Sequence, residues 1–503
     1  MSVRKSVGAT LAAIALVGAL AAAVVAAEVA PLPAADAVPI GQSHAVPAGL
    51  VRLVCAPAPV LAEGAVGYDA EFNPVEATAG ASLSAVTFPR DEGAATAGLA
   101  LTPGGNLVAL EGEDARAGGG SPVGESAVVE AEPDGDAAAL AAAGGVWRSD
   151  LGDLRSIVAL PCTAAASEQW LVGGSTMVGS SAELTITNPS ETPATVRVLG
   201  WGSVGPLDLP MLAGLVIAPH SSESYLIEAS AAEMERLMLR VSSTGGSVSA
   251  SLLDTRLDGF TPLGADVVGP TAAPATEQVI PGVALADVED LTSPAATENF
   301  VRIANPGSTG ATVTLTLLAA DGEFSIPGAS EVTIDPGAVF DVSLAALPAG
   351  DHAVAVSSDQ PVVAAAQIAR AGGEGSLDRA WVTASTAAEI VSFAVPGLGE
   401  QVGQATLVLA NSSDREVAAA VTPYGSDGAA AATAAVTVPA RGITAVDVGE
   451  FGAPVGLAVR GDAPLNGAAI LRAGAADGEL IGVLPGTADA ESAGEVVVVV
   501  RER

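Results

Sequence analysis

Three copies of one sequence pattern follow each other from Trp170 onward, and they limit the folds open to this chain more than any other feature. Each copy contains a strand-like run that ends in an asparagine turn: LTITNPS at residues 184–190, VRIANPG at 301–307 and LVLANSS at 407–413. A proline follows each asparagine after 31, 31 and 28 residues, and a further strand-like run follows the proline. Order and spacing agree, so the repeats predict three units that fold alike.

Within each copy the hydrophobic residues recur with a period of two, which is typical of strands. Val313, Leu315 and Leu317, for example, alternate with threonines. Only 3% of the chain is aromatic although half is apolar, so Val, Leu, Ile and Ala must build the cores. Units of roughly 100 residues with about seven such strands indicate β-sandwiches. We therefore predict an all-β protein of tandem immunoglobulin-like β-sandwich domains, with one short helix where Ser230 and Glu233 have capping-box spacing.

The N-terminus predicts a transmembrane helix that acts as a signal anchor. Residues 7–27 carry no charge and are mostly apolar, and a helix of that length spans a hydrocarbon core of about 30 Å. Arg4 and Lys5 precede it, so residues 1–6 are expected in the cytoplasm and the bulk of the chain outside a single-pass cell membrane anchor. Cleavage as a signal peptide, which would give a secreted protein, is the alternative. The proline-rich residues 28–48 then predict an extended stalk.

The only two cysteines, Cys55 and Cys162, are predicted to form a disulfide, because an exported chain with two cysteines most simply pairs them. In the chain-entropy model a bond that closes a loop this long contributes roughly 4–5 kcal/mol. A reactive thiol pair is the alternative, although the spacing is unlike a C-x-x-C motif. The predicted domains are 49–168 for a disulfide-closed β-domain with acidic loops, 169–270, 271–388 and 389–488 for three β-sandwich repeats, and 489–503 for a C-terminal strand and tail.

Acidic loops between the cysteines include Asp134 and Asp136, which are weak candidates for calcium ligands. Calcium prefers several carboxylate and carbonyl oxygens, but no D-x-D-x-D-G loop is present, so solvated loop charge is the favoured interpretation. No other metal and no cofactor is predicted.

The net charge of −37, with Lys5 as the only lysine, excludes nucleic acid as a partner, since binding to phosphates needs clustered basic residues. An acidic ectodomain is expected to be soluble and to be repelled by anionic surfaces.

Catalytic motifs are missing from the sequence. No G-x-S-x-G elbow, H-E-x-x-H motif, P-loop or dinucleotide-binding loop occurs, and the chain has three histidines. We therefore predict that the protein is not an enzyme. The alternative is an active site formed by a pair of carboxylates that folding brings together. Trp201, in a glycine-rich insertion, and His220, directly after Pro219, are the candidate ligand contacts. Local packing for Trp201 and an exposed turn for His220 are the favoured alternatives.

Three segments, DLGDLR at 150–155, PC at 161–162 and EQWLVGGST at 168–176, resemble an uncharacterised family of actinobacterial secreted or membrane-anchored proteins, a domain of unknown function of the large exoprotein type. The resemblance covers most of the chain after the anchor. It implies location and architecture only, because the family carries no catalytic assignment.

Together these features predict a membrane-anchored extracytoplasmic protein that acts as a cell-envelope scaffold or interaction module. Its expected partners are the membrane, through the N-terminal helix, and an envelope protein or glycan. The alternatives are a carbohydrate- or peptidoglycan-associated enzyme that uses paired carboxylates, and an accessory subunit of a membrane transporter or glycosyltransferase.

Overall fold

The computed structural model describes residues 42–45, 49–59, 80–90, 99–102, 108–112, 114–120, 126–134, 137–489 and 495–498. The predicted anchor at 7–27 lies outside them, and no helix among these residues is long and apolar enough to cross a membrane. The chain is all-β, as predicted. It divides into two units. In the small one, β1 (Gln42–Ala45), which falls within the predicted stalk, pairs antiparallel with β35 (Glu495–Val498). The large unit spans Ala48–Ser492.

The large unit begins with an eight-stranded antiparallel sheet, which we call the N-terminal sheet. Its strands are β2 (Val51–Cys55), β3 (Gly80–Phe88), β4 (Leu99–Thr102), β5 (Val108–Leu110), β6 (Arg116–Gly120), β7 (Ala127–Ala131), β8 (Leu140–Ser149) and β9 (Ser156–Ala164), in the spatial order β5-β4-β7-β2-β9-β8-β3-β6. Cys55 and Cys162 lie directly opposite each other in β2 and β9 and form a disulfide, so the predicted pairing is confirmed.

Repeat 1 consists of two antiparallel sheets. The first contains β10 (Glu168–Val172), β12 (Ala194–Gly202), β13 (Gly205–Leu207), β14 (Leu215–Ile217) and β16 (Met238–Thr244); the second contains β11 (Ser180–Asn188), β15 (Ser221–Leu226), β17 (Ser249–Asp258) and β18 (Thr261–Val268). Both sheets contribute to one core, in which Leu184 and Ile186 of β11 lie with Val241 of β16. The period of two explains this, because alternate side chains of each strand point to one face.

The short helix predicted near Ser230 is wrong. Only one turn of 3-10 helix, Ile227–Ala229, is present there. The segment after this turn bonds to Thr176 instead. The carbonyl oxygen of Thr176 accepts a hydrogen bond from the backbone N–H of Glu233, and its hydroxyl accepts one from the N–H of Met234. Glu233 also has a positive φ of 60°, which interrupts a helix.

Repeats 2 and 3 follow the same plan. Repeat 2 contains β19 (Ala275–Leu285), β20 (Phe300–Ala304), β21 (Ala311–Ala319), β22 (Gly322–Ser325), β23 (Val332–Ile334), β24 (Val339–Ser343), β25 (Gly350–Ala371) and β26 (Leu377–Thr383). Repeat 3 contains β27 (Ala388–Ala394), β28 (Gln404–Asn411), β29 (Val417–Tyr424), β30 (Ala434–Val438), β31 (Gly442–Asp447), β32 (Gly456–Ala475), β33 (Gly478–Pro485) and β34 (Thr487–Ala488). Among the described residues, the helical segments besides Ile227–Ala229 are an α-helix at Pro294–Thr297 and 3-10 turns at Pro210–Leu212, Gly373–Gly375 and Val448–Phe451.

All three repeats pair their strands in the same way. The strand that ends at the asparagine or directly before it (β11, β20 or β28) lies between the strand after the proline (β15, β24 or β31) and a later strand (β17, or the second half of β25 or β32). The first halves of β25 and β32 pair with other strands: β19 and β21 in repeat 2, and β27 and β29 in repeat 3. Each long strand therefore passes from one sheet to the other. In repeat 1 the same path is divided into β16 and β17, with Gly245 and Gly246 between them.

The repeated asparagines are buried and make equivalent hydrogen bonds. The side-chain amide of Asn305 donates to the carbonyl oxygens of Thr309 at 2.7 Å and Ile334 at 3.2 Å, and its oxygen accepts from Gly307 N at 3.0 Å. Asn188 and Asn411 bond the corresponding positions. Each asparagine therefore fastens its own turn to the segment that carries the proline, which explains the near-constant spacing of the two.

Four strand edges meet in what we call the junction: residues 156–161 of β9 together with β18, β26 and β33. Among the described strands, each of these segments has a sheet neighbour on one side only. Side chains complete the hydrogen bonding of the open edges. Asp266 accepts from Trp381 N at 2.6 Å, and Asp378 accepts from Ile481 N at 2.7 Å. Ser156 Oγ accepts from Ala265 N at 2.7 Å. The N-terminal sheet and the three repeats are thus joined by buried polar groups.

A buried ion pair reinforces the junction. Arg379 and Asp254 are 1% and 0% exposed, and Arg379 Nη1 lies 2.8 Å from Asp254 Oδ2. Trp381 Nε1 donates to the same carboxylate at 2.9 Å. Burial alone would raise the pKa of Asp254, but the guanidinium groups of Arg379 and Arg256 lower it. Asp254 is therefore held in its charged form.

Asp266 and Asp378 behave in the opposite way. Burial raises the pKa of Asp266 well above its usual value and that of Asp378 to about 7. The Oδ1 atom of each carboxyl has no hydrogen-bond partner in the described part of the chain. The geometry favours the protonated form, because a neutral carboxyl is less costly to bury than an unpaired charge.

Candidate functional site

A cavity of about 660 Å³ lies between the N-terminal sheet and repeat 1, and we call it the groove. One wall comes from β2 and β7, and the other comes from β11, β15 and the turns beside them. Its volume falls within the range of about 300–1,000 Å³ that small-ligand sites occupy in proteins. The groove is the candidate functional site.

Paired hydroxyl groups line the wall that repeat 1 provides. Thr185 and Ser224 lie opposite each other in β11 and β15 with their hydroxyl oxygens 2.8 Å apart, and Thr187 and Ser222 repeat this arrangement at 2.8 Å. Ser126 of the facing wall lies 2.9 Å from the Thr187 hydroxyl. We call these five residues the hydroxyl ladder. The alternation of β11 produces it, because the intervening side chains point into the core of repeat 1.

One ion pair and one histidine–carboxylate contact also line the groove. Arg52 of β2 donates to Glu130 of β7 at 2.6 Å, and the two residues are direct cross-strand neighbours. His220 Nε2 lies 3.0 Å from Glu191 Oε2. The hydrogen bond from His220, together with its charge, lowers the pKa of Glu191. Arg52 and Glu130 are partly exposed and His220 and Glu191 are exposed, so all four groups stay hydrated.

A protein-family model, the Family of unknown function (DUF5719), matches residues 114–449. The chain belongs to this family. The resemblance to an uncharacterised domain of unknown function is thereby confirmed. No curated protein is similar enough to this chain to be matched to it.

One solved structure with some similarity is "Biofilm associated protein - BSP domain". It is 10% identical, with 92% of this chain and 100% of that chain covered, at a TM-score of 0.12. A similarity this small supports no inference about fold or function.

Most of the groove lies within the region that matches the DUF5719 model. The five residues of the hydroxyl ladder, as well as Glu130, Glu191 and His220, fall between residues 114 and 449, whereas Arg52 precedes the matched region.

The structure separates the two predicted ligand contacts. His220 lines the groove, at a turn where its φ of 51° is left-handed. Trp201 is not among the lining residues; it is 9% exposed and stacks on Trp170, with ring centroids 5.9 Å apart. Asp134 exchanges backbone hydrogen bonds with Ala137, and Asp136 lies outside the described residues. Within the described ranges, no cluster of three or more His, Cys, Asp or Glu residues could hold a metal ion.

A second cavity, of about 370 Å³, lies between repeats 1 and 2 and is rich in arginine. Its guanidinium groups already have carboxylate partners. Arg256 pairs with Glu298 at 2.9 Å, and Arg302 pairs with Asp341 at 2.9 Å. Arg236 shares Asp341 at 3.1 Å. These pairs leave little free charge for a ligand and hold the two repeats together.

Sequence reasoning missed the hydroxyl ladder, although a signal was present. Thr185 and Thr187 alternate with Leu184 and Ile186 in β11, and serines alternate in β15. The alternation marks a polar face of a sheet. It does not reveal which strand lies opposite, or that the N-terminal sheet covers that face and turns it into a groove.

Proposed function

We propose that this protein is an extracytoplasmic, membrane-anchored interaction module of the cell envelope, built from tandem immunoglobulin-like β-sandwiches. The observation that carries the proposal is the groove, a polar cavity whose walls come from two separate parts of the fold. Two antiparallel sheets around one core, as in repeat 1, support the sandwich assignment. The disulfide supports an oxidising compartment, where such bonds persist.

The fold holds the two walls of the groove in a fixed relation. Strand β2 carries Arg52 in one wall and Cys55, whose disulfide reaches Cys162 in β9. The first part of β9 lies in the junction, next to β18 of repeat 1. A site that is formed before its ligand arrives loses less free energy in ordering side chains and loops on binding. This arrangement supports recognition of a partner rather than passive spacing.

We further propose that the groove binds its partner without transforming it. The carboxylates that line it already have partners: Glu130 pairs with Arg52, and Glu191 contacts His220. A general acid needs a raised pKa near the working pH, whereas the pKa of Glu191 is lowered. The expected partners are an envelope glycan or protein.

Surface digestion of intact cells tests the location. The full-length chain with a C-terminal epitope tag is produced in a bacterial host, and the cells are exposed to an added protease. We expect loss of the tag from intact cells, because the C-terminal bulk lies outside the membrane. Rapid alkylation should find both cysteines oxidised. A cytoplasmic protein serves as the control that the cells stay closed. A tag that is cleaved only after lysis, with thiols that alkylate freely, would exclude the proposed location.

A further inference from the structure

We infer that the groove binds a neutral, polyhydroxylated saccharide. The inference rests on the proposed function and names the chemical class of its partner. It is drawn from three properties of the groove: the hydroxyl ladder, the local balance of charge, and the apolar side chains between the polar ones.

The hydroxyl ladder suits a ligand that both donates and accepts hydrogen bonds. Each serine or threonine hydroxyl has one donor and two acceptor positions. The bonds Thr185–Ser224 and Thr187–Ser222 join pairs of such groups. A sugar hydroxyl can enter each pair and replace a bond without leaving either protein group unpaired. Ser222 and Ser224 are exposed, so a ligand reaches these pairs from solvent.

The charges favour a neutral ligand over an anionic one. The positive group of Arg52 is balanced by Glu130, and Glu191 faces His220. No cation in this lining is left for an anionic polymer, and the whole chain carries a charge of −37. The carboxylates of Glu130 and Glu191 in the lining can accept hydrogen bonds from sugar hydroxyls, and such bonds are stronger when the acceptor is charged.

Apolar contact comes from Pro57, Val128 and Pro189, which line the same cavity. A sugar ring presents C–H groups on its faces as well as hydroxyls on its edge. Aliphatic side chains can cover those faces, although they lack the ring stacking that tryptophan supplies. Trp201 does not fill this role, because it lies in the core of repeat 1.

Calorimetric titration of the purified full-length protein with neutral hexasaccharides tests the inference. The probes are maltohexaose, cellohexaose and N-acetylchitohexaose, with oligogalacturonate as the anionic comparison and sedimentation with an insoluble neutral wall polysaccharide as a second arm. We expect binding of at least one neutral probe and weaker or no binding of oligogalacturonate. Binding to the soluble probes alone points to a free sugar, and binding to the wall polysaccharide points to an envelope glycan; both support the inference.

The double variant Thr185→Val, Thr187→Val removes the central hydroxyls and keeps the shape of both side chains. Binding of the neutral probe should weaken at least tenfold. Thr422→Val is the matched control, since Thr422 makes an exposed hydroxyl pair with Thr433 at 2.9 Å in repeat 3; it should change affinity less than twofold. Thermal unfolding of each variant verifies the fold.

Three results would overturn the inference: no binding of any neutral probe, equal affinity in the double variant, or preference for oligogalacturonate. Loss of the inference in this way would leave the surface digestion result untouched, so the two proposals fail separately.

Discussion

The junction and the groove are both polar regions where separate sheets meet, yet they differ in access to solvent. In the junction, Arg379 and Asp254 are almost fully buried and bond to each other. In the groove, Ser222 and Ser224 are exposed, and the hydroxyl pairs can exchange partners. Buried polar bonds fix the geometry of the groups that make them, because breaking such a bond leaves a buried charge without a partner. Exposed groups of the same kind stay available to a ligand.

The largest effect is expected when the junction loses its arginine. Arg379→Ala leaves the buried Asp254 carboxylate without its nearest cation and removes the donor to Leu263 O. Breaking a buried pair in this way costs about 3–5 kcal/mol. Guanidinium chloride unfolding should show a loss of that size in the free energy of unfolding. Limited proteolysis should also become faster, since β26 loses its Arg379 bonds to β17 and β18.

Arg441→Ala is the matched control for this variant. Arg441 pairs with Glu323 at 3.4 Å, and both side chains are about half exposed. Such exposed pairs contribute about 0–1 kcal/mol. If the two variants lose equal stability, the junction is hydrated in solution, and its contrast with the groove does not hold.

An effect that depends on pH is expected at Asp378. Its pKa in the fold is about 7, above the usual value of 3.8, so the folded state retains a proton that the unfolded state releases. The stability from this group is therefore complete below about pH 4 and is lost as the pH rises to about 7. The loss is at most about 1.4 kcal/mol per pH unit for one proton.

Asp378→Asn removes this titration. The stability of wild type relative to the variant should decline between pH 4 and pH 7, as measured by denaturant unfolding across that range. Asp290→Asn is the control with the opposite sign. Hydrogen bonds from Thr292 lower the pKa of Asp290, so the stability that this carboxylate contributes is lost as the pH falls. If the difference in stability between wild type and Asp378→Asn does not change with pH, the Asp378 carboxyl is already ionised in the folded wild type and water reaches the junction.

Much of the fold follows from the sequence because its signals are local. The asparagine turns with their prolines mark equivalent strands, and the period of two gives the buried faces. The cysteines Cys55 and Cys162 pair as expected because no other cysteine competes. The helix predicted near Ser230 failed because Thr176 offers its backbone and hydroxyl to the same segment. That contact spans more than 50 residues and leaves no local pattern.

The packing of the sheets against one another could not be predicted from the sequence. Asp254, Asp266 and Asp378 look like ordinary polar residues of half-exposed strands, and only contact with strands from other parts of the chain buries them. The groove has the same origin, because Ser126, next to the N-terminal sheet, and Thr187 of repeat 1 come together across 61 residues of sequence. His220 was singled out for its chemistry, and its place in the groove depends on a wall that begins more than 80 residues earlier.

The smallest effect is expected when the groove loses a single hydroxyl. Thr187→Val keeps the β-branched shape that suits a strand and removes the contacts to Ser222 and Ser126. Both partners can turn to water, so the free energy of unfolding should fall by only about 0.5–1.5 kcal/mol, less than for Arg379→Ala. Guanidinium chloride unfolding under the same conditions measures the difference. A loss of about 3 kcal/mol or more would place Thr187 among the groups that hold the domains together. The hydroxyl ladder would then be a second junction, and its hydroxyls would not be free to exchange with a ligand.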